Sequence, residues 1–92
     1  PIRCSVFNNA VYFVDQGAHR VARITAGGTL ETLAGNGARG FSGDGGPASA
    51  AVLDNPTAIA VDYSGRIYFS DQFNQRIRRI VNGTISTFAG TG

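Results

Sequence analysis

Arginine carries most of the chemistry this sequence offers. Arg20 and Arg23 in the first part of the chain, and Arg76, Arg78 and Arg79 in the last, lie on short stretches of the same pattern. Guanidinium groups on a strand can pair with carboxylates, cover neighbouring apolar surface with their aliphatic stems, or meet an acidic peptide or a nucleic-acid backbone. Over residues 76–81, alternation places Arg76 and Arg78 on one face and Ile77 on the other. Arg79 beside Ile80 breaks that period and predicts a local bulge or a salt-bridged edge. Carboxylates for pairing stand at Asp15, Asp54, Asp62 and Asp71. Aromatics that could stack on bases are not interleaved with the arginines, because Tyr12, Phe13, Tyr68 and Phe69 fall in apolar runs. Nucleic-acid binding through these arginines is therefore the alternative reading and not the leading one.

The other reactive residues are few. His19 is the single histidine and Cys4 the single cysteine, short of the roughly three protein ligands that a catalytic zinc takes. His19 reads as a turn or surface residue, and Cys4, on an apolar stretch, as a small buried hydrophobe. One cysteine permits no internal disulfide. Asp15 and Asp71 close equivalent apolar runs and read as turn residues whose carboxylates cap nearby amides. Asp44, in the segment SGDGG, reads as an Asx-turn residue, because the alternating acidic ligands of a calcium loop are missing around it. Asn82-Gly83 is a strong two-residue hairpin signal. Neither a Ser-His-Asp set nor a phosphate-binding glycine motif appears, so no catalytic residue, metal or cofactor is assigned.

What must position these groups is a repeat. Residues 11–37 and 66–92 are two versions of one pattern. Tyr12, Phe13, Asp15, Gln16, Arg20, Arg23 and Ile24 meet identical residues 56 positions on, at Tyr68, Phe69, Asp71, Gln72, Arg76, Arg79 and Ile80. After a one-residue slip the offset is 55: Thr29, Thr32, Ala34, Gly35 and Gly37 meet Thr84, Thr87, Ala89, Gly90 and Gly92. A slip inside a strand would turn its side chains to the opposite face, so the extra residue is predicted in the Gly27-Gly28 turn. Each copy reads as four short strands joined by tight turns, with the second strand apolar enough to be covered on both faces. That plan gives blade 1 over residues 1–35 and blade 2 over residues 56–92. Residues 36–55 form a glycine-rich linker, in which Pro47 starts one helical turn and Val52 and Leu53 reach the core.

Bulk properties bound the answer without sharpening it. The chain has 92 residues, 42% of them hydrophobic and 15% charged, with 13 glycines and a net charge of +2. That is a turn-rich all-β composition, and the surplus of positive charge is too small to announce nucleic acid by itself. No apolar run approaches the roughly 18 residues of a membrane span. The chain begins in mid-pattern without an initiator Met and is expected to be a processed piece or a part of a longer propeller.

IAVDYSGRIYFSDQFNQRIRRIVNGTISTFAGTG, together with GFSGDGGPASAAVLDNP, resembles the NHL repeat, and in particular the variety found in bacterial and extracellular multi-repeat proteins. The resemblance covers nearly the whole chain and is sharper in blade 2. In blade 1 the IAVD pattern is lost and Gly17-Ala18-His19 replaces Phe73-Asn74-Gln75. It implies an all-β fold of propeller blades, six being the usual number, and an extracellular or periplasmic setting. On function the resemblance is open, since NHL propellers serve as protein-binding scaffolds, sensor domains, RNA-binding domains and, in one lyase branch, a zinc enzyme. With one His and one Cys the zinc pattern is not met, and the expectation is a non-enzymatic scaffold for a protein or peptide partner, without cofactor. A blade is apolar on both faces, so two blades leave two faces open. The expectation is therefore a homo-oligomer, a ring of three chains completing six blades.

Overall fold

The computed structural model describes residues 3–37, 40 and 44–90. Eight strands make two four-stranded antiparallel sheets, each a simple meander, and no α-helix occurs among the described residues. Sheet 1 holds β1 (Cys4–Phe7), β2 (Ala10–Asp15), β3 (Arg20–Ile24) and β4 (Leu30–Ala34). Sheet 2 holds β5 (Pro56–Val61), β6 (Ile67–Asp71), β7 (Arg76–Val81) and β8 (Thr84–Gly90).

Turn chemistry drives the meander. Val81 pairs with Thr84 across Asn82 and Gly83, whose φ values of 50° and 80° are the two left-handed conformations that a tight hairpin requires. The equivalent turn of sheet 1 has three residues. Thr25 N–H donates to Thr29 O at 2.9 Å, and Gly28 N–H donates to Thr25 O at 2.9 Å. The extra residue thus lies in the turn, as the slip predicts, and the strands stay in step: Ile24 opposes Leu30 as Ile80 opposes Ile85. Nothing lies within 4 Å of a Cβ built on Gly83. Gly83→Ala is therefore expected to cost only the left-handed backbone strain, about 1–2 kcal/mol, read as a lower urea midpoint with unchanged slope.

Each polar connection after β2 and β6 forms one 3₁₀ turn and ends on a left-handed residue, His19 at φ 51° and Gln75 at φ 55°. The irregularity expected beside Arg79 lies on the facing strand. Pairing skips Phe88 between Ala89 and Thr87, and skips Leu33 at the same place in sheet 1. β7 itself alternates without interruption, so Arg78 and Ile80 share one face and Ile77 and Arg79 the other.

The sheets stack through one contact. Ala10, Tyr12, Val14 and Val21 form the front face of sheet 1, and Ile59, Ile67, Phe69 and Ile80 the rear face of sheet 2; all belong to one buried cluster. Ala48, Ala51 and Leu53 of the linker complete it. After Pro47 the linker makes a 3₁₀ turn over Ala48–Ala50. Just before that turn it runs along the outer edge of β8 as a short extra strand. Gly45 N–H donates to Ile85 O at 2.6 Å, Ile85 N–H donates to Gly46 O at 3.1 Å, and Pro47 bridges to Thr84. Gly35 N–H donates to Ala48 O at 3.3 Å and ties this segment back to sheet 1. Coverage of both faces of the second strands, expected from their composition, is met on one face only: Val11 is exposed although Tyr12 is buried.

Candidate functional site

Arg78 and Asp71 are the fully buried charged groups among the described residues. The position of Arg78 on β7, one strand in from the outer edge, carries the guanidinium under the linker. There it donates to Asp71 Oδ2 at 3.3 Å, to Val52 O at 2.9 Å and to Asp44 Oδ1 at 3.0 Å. Asp71, equally buried, also accepts from Asp54 N–H at 2.7 Å and from Asn74 Nδ2 at 2.9 Å. Asp44 accepts a short hydrogen bond from Thr87 Oγ1 as well. Burial pushes the Asp44 carboxyl up, but the hydrogen bonds from Thr87 and Arg78 outweigh it and hold the group below the usual carboxylate range. Three groups from the linker, Asp44, Val52 and Asp54, are thus fastened to one blade by a single cation and its counter-ion.

These placements differ from a turn-capping role. The Asp15 and Asp71 carboxylates make no cap to the 3₁₀ turns that follow them. Asp15 accepts from Arg20 Nε at 3.1 Å, and Asp71 serves the linker amide of Asp54. Asp44 likewise turns to Arg78 and Thr87, because its loop lies across sheet 2. Asn82 and Gly83 make the hairpin turn itself, and Gly83 O accepts from Ala48 N–H at 2.7 Å.

The remaining arginines lie along the blades. Arg20 also donates to Thr32, as Arg76 does to the equivalent Thr87 at 3.3 Å. Arg23 pairs with Glu31 at 2.6 Å, donates to Tyr12 Oη at 3.1 Å and sits over the Tyr12 ring. The hydrogen bond to Tyr12, and then that to Glu31, raises its pKa further. Arg79 lies over the Phe88 ring at 5.3 Å. Of the five arginines singled out from the sequence, Arg78 is closed off from any outside ligand.

His19 does join chemistry to structure, though not catalysis: its Nδ1 accepts from Asn55 N–H at 3.0 Å, 36 residues away, and so couples the first 3₁₀ turn to the end of the linker. Cys4, expected in the core, is exposed, because it points to the rear face of sheet 1, where no sheet is packed. Among the described residues no group of three or more His, Cys, Asp and Glu side chains comes together as a metal site. No helix among them is long and apolar enough to cross a membrane.

The largest unsatisfied feature is a pair of open blade faces, which the repeat pattern implies in outline. Because equivalent residues hold the same ladder register in both sheets, they point the same way, and their burial can be compared directly. On the rear face, Val11 is 40% exposed and Ile67 6%, and Leu30 is 51% exposed and Ile85 0%. On the front face the order reverses, with Val21 at 0% and Ile77 at 37%. The front face of sheet 2 also carries an apolar depression of about 310 Å³ lined by Ala58, Ala60, Tyr68 and Ile77 among others. The sheet 1 residues equivalent to Tyr68 and Ile77, Tyr12 and Val21, are buried.

Comparison with known proteins places this geometry. The model of the Teneurin NHL domain family matches residues 3–92. Human Teneurin-4 is 38% identical over 98 residues, a stretch that covers 91% of this chain and 4% of that protein. Mouse Teneurin-4 is 52% identical over 50 residues, covering 53% of this chain and 2% of that protein. Among solved structures, a structural genomics protein of unknown function from Bacteroides thetaiotaomicron is similar with a TM-score of 0.76 at 29% identity, covering 89% of this chain and 21% of that one. A putative phosphatase from the same organism shares the fold at 20% identity, with a TM-score of 0.72 over 98% of this chain and 22% of that one. The chain thus spans a small fraction of the relatives and structures it matches.

Proposed function

The chain belongs to the Teneurin NHL domain family, and from that footing we propose that it is a non-enzymatic propeller module, a scaffold whose blades assemble with further blades and present their connecting loops to a protein or peptide partner. The observation that carries this reading is the reversed burial of equivalent residues. Val11, Leu30 and Ile77, exposed on the open faces, have buried twins in Ile67, Ile85 and Val21. The contact already present between front and rear faces is therefore the one the open faces are shaped to repeat.

For the chain by itself, the partner of each open face is a second copy. Leaving side chains such as Val11, Leu30 and Ile77 in water forgoes about 1.5–3 kcal/mol for each that a neighbour would fully bury. A head-to-tail contact covers both faces at once and ends only if it closes on itself. Three chains give six blades. Light scattering is expected to give the mass of three chains, and Ile77→Asp, which puts a charge at the centre of the contact, is expected to return single chains. A monodisperse single chain that unfolds cooperatively in calorimetry would sink the ring.

A further inference from the structure

The two outer edges of the chain are treated unequally. On β8, Ile85 directs its N–H and C=O outward to Gly46 and Gly45, and Thr87 holds Asp44. On β4, Leu30 occupies the same register opposite Ile24, so its N–H and C=O also point outward, and among the described residues neither has a partner. Its side chain is half exposed where Ile85 is buried. Thr32 stands where Thr87 stands. Only the cation is missing, since Ala22 replaces Arg78.

We infer that the outer edge of β4 is a docking site for an extended peptide segment of the same kind as residues 44–53, bound by strand addition. The occupant is specified by the copy of it seated on β8. It has a Gly-Gly step whose backbone meets Leu30 N–H and C=O, then a proline and a small residue that turn it away from the edge, then an apolar residue in the place of Leu53 that covers Leu30 and Ile24. Glycines suit the pairing residues because Gly45 takes φ 84°. An acidic residue ahead of them is not required on β4, because the arginine that receives Asp44 on β8 has no counterpart there. The site differs from the face-to-face contact proposed above in using the edge of the sheet and main-chain hydrogen bonds, while the Leu30 side chain, on the rear face, borders both.

The test is a synthetic peptide of residues 44–54 added to the full chain, followed by amide hydrogen exchange and by anisotropy of the labelled peptide. In the free chain, Leu30 N–H is expected to exchange fast and Ile85 N–H slowly. Saturating peptide should slow Leu30 by about tenfold or more, while Ile85 stays unchanged. Leu30→Asp, an exposed change that leaves the core intact, should weaken the peptide by about tenfold or more. A peptide with alanine for its first Asp should bind equally well, whereas one with Asp in the place of Leu53 should not bind. Unchanged exchange of Leu30 at millimolar peptide, or binding indifferent to Leu30→Asp, would overturn the inference. Measuring mass in the same samples separates the two proposals: a ring that ignores the peptide defeats this one alone, and a single chain that binds it defeats only the ring.

Discussion

Arg78→Ala is expected to lower the stability of this chain by about 3–5 kcal/mol, the usual consequence of removing one member of a buried ion pair. The loss does not come mainly from forfeited attraction. Asp71 has no exposure of its own, so without the guanidinium its carboxylate stays buried with Asp54 N–H and Asn74 Nδ2 as donors. Val52 O loses a donor, and Asp44 keeps its hydrogen bond from Thr87 but loses its cation. In a domain whose whole stability is on the order of 5–15 kcal/mol, such a loss lowers Tm by about 15–30 °C. Arg78→Met with Asp71→Asn is expected to recover more than half of it, because the charge disappears while an acceptor for Asp54 N–H remains. Asp44→Asn, at a group that is partly solvated, should cost about 1 kcal/mol. Urea unfolding of the four proteins measures this. A loss in Arg78→Ala no larger than in Asp44→Asn, or no recovery in the double variant, would show that the buried pair does not hold the linker.

That cluster also shows where legibility from sequence stops. The two sheets, their strand order and the length of both hairpin turns were legible, because Tyr12 and Tyr68, Arg20 and Arg76, and Gly35 and Gly90 repeat at offsets that differ only at a turn. The role of Arg78 was not. Alternation assigns a side chain to a face, but what lies across that face depends on the path of residues 36–55, and glycine-rich backbone carries no periodicity from which to read a path. Asp44 meets Arg78 across 34 residues of sequence, and His19 meets Asn55 across 36. One signal was present: Ala22 and Arg78 are a mismatch in otherwise matched strands. Cys4 misled for the opposite reason. Its apolar strand is built to be covered, but among the described residues nothing covers it.

The repeated Ala-Gly pair, Ala34-Gly35 and Ala89-Gly90, supplies the second large effect. Both glycines follow the bulge residue of an outer strand and carry the chain across the carbonyl of the left-handed residue that ends the 3₁₀ turn. Gly35 has φ +94°, and a Cβ there would fall well inside contact with His19 O and 2.9 Å from Arg20 Cα. Gly90 has φ +104°, and a Cβ there would meet Gln75 O as closely and Arg76 Cα at 2.9 Å. The obstacles are backbone atoms, which no side-chain rotation can move aside. Gly35→Ala is therefore expected to destabilise by about 2–5 kcal/mol, combining left-handed strain with overpacking. Gly35 is also buried, and its N–H holds Ala48 O, so relief by local shift would loosen the linker as well. Gly90→Ala faces the same collision, but Gly90 is the exposed last residue of β8 and can yield by releasing one ladder bond, at about 1–2 kcal/mol. Gly83→Ala, with equal handedness and open space around its Cβ, separates strain from collision. The expected order in urea unfolding is Gly35→Ala well above the other two. Equal losses at Gly35 and Gly83 would mean that close approach of the backbone after the bulge is not what demands glycine there.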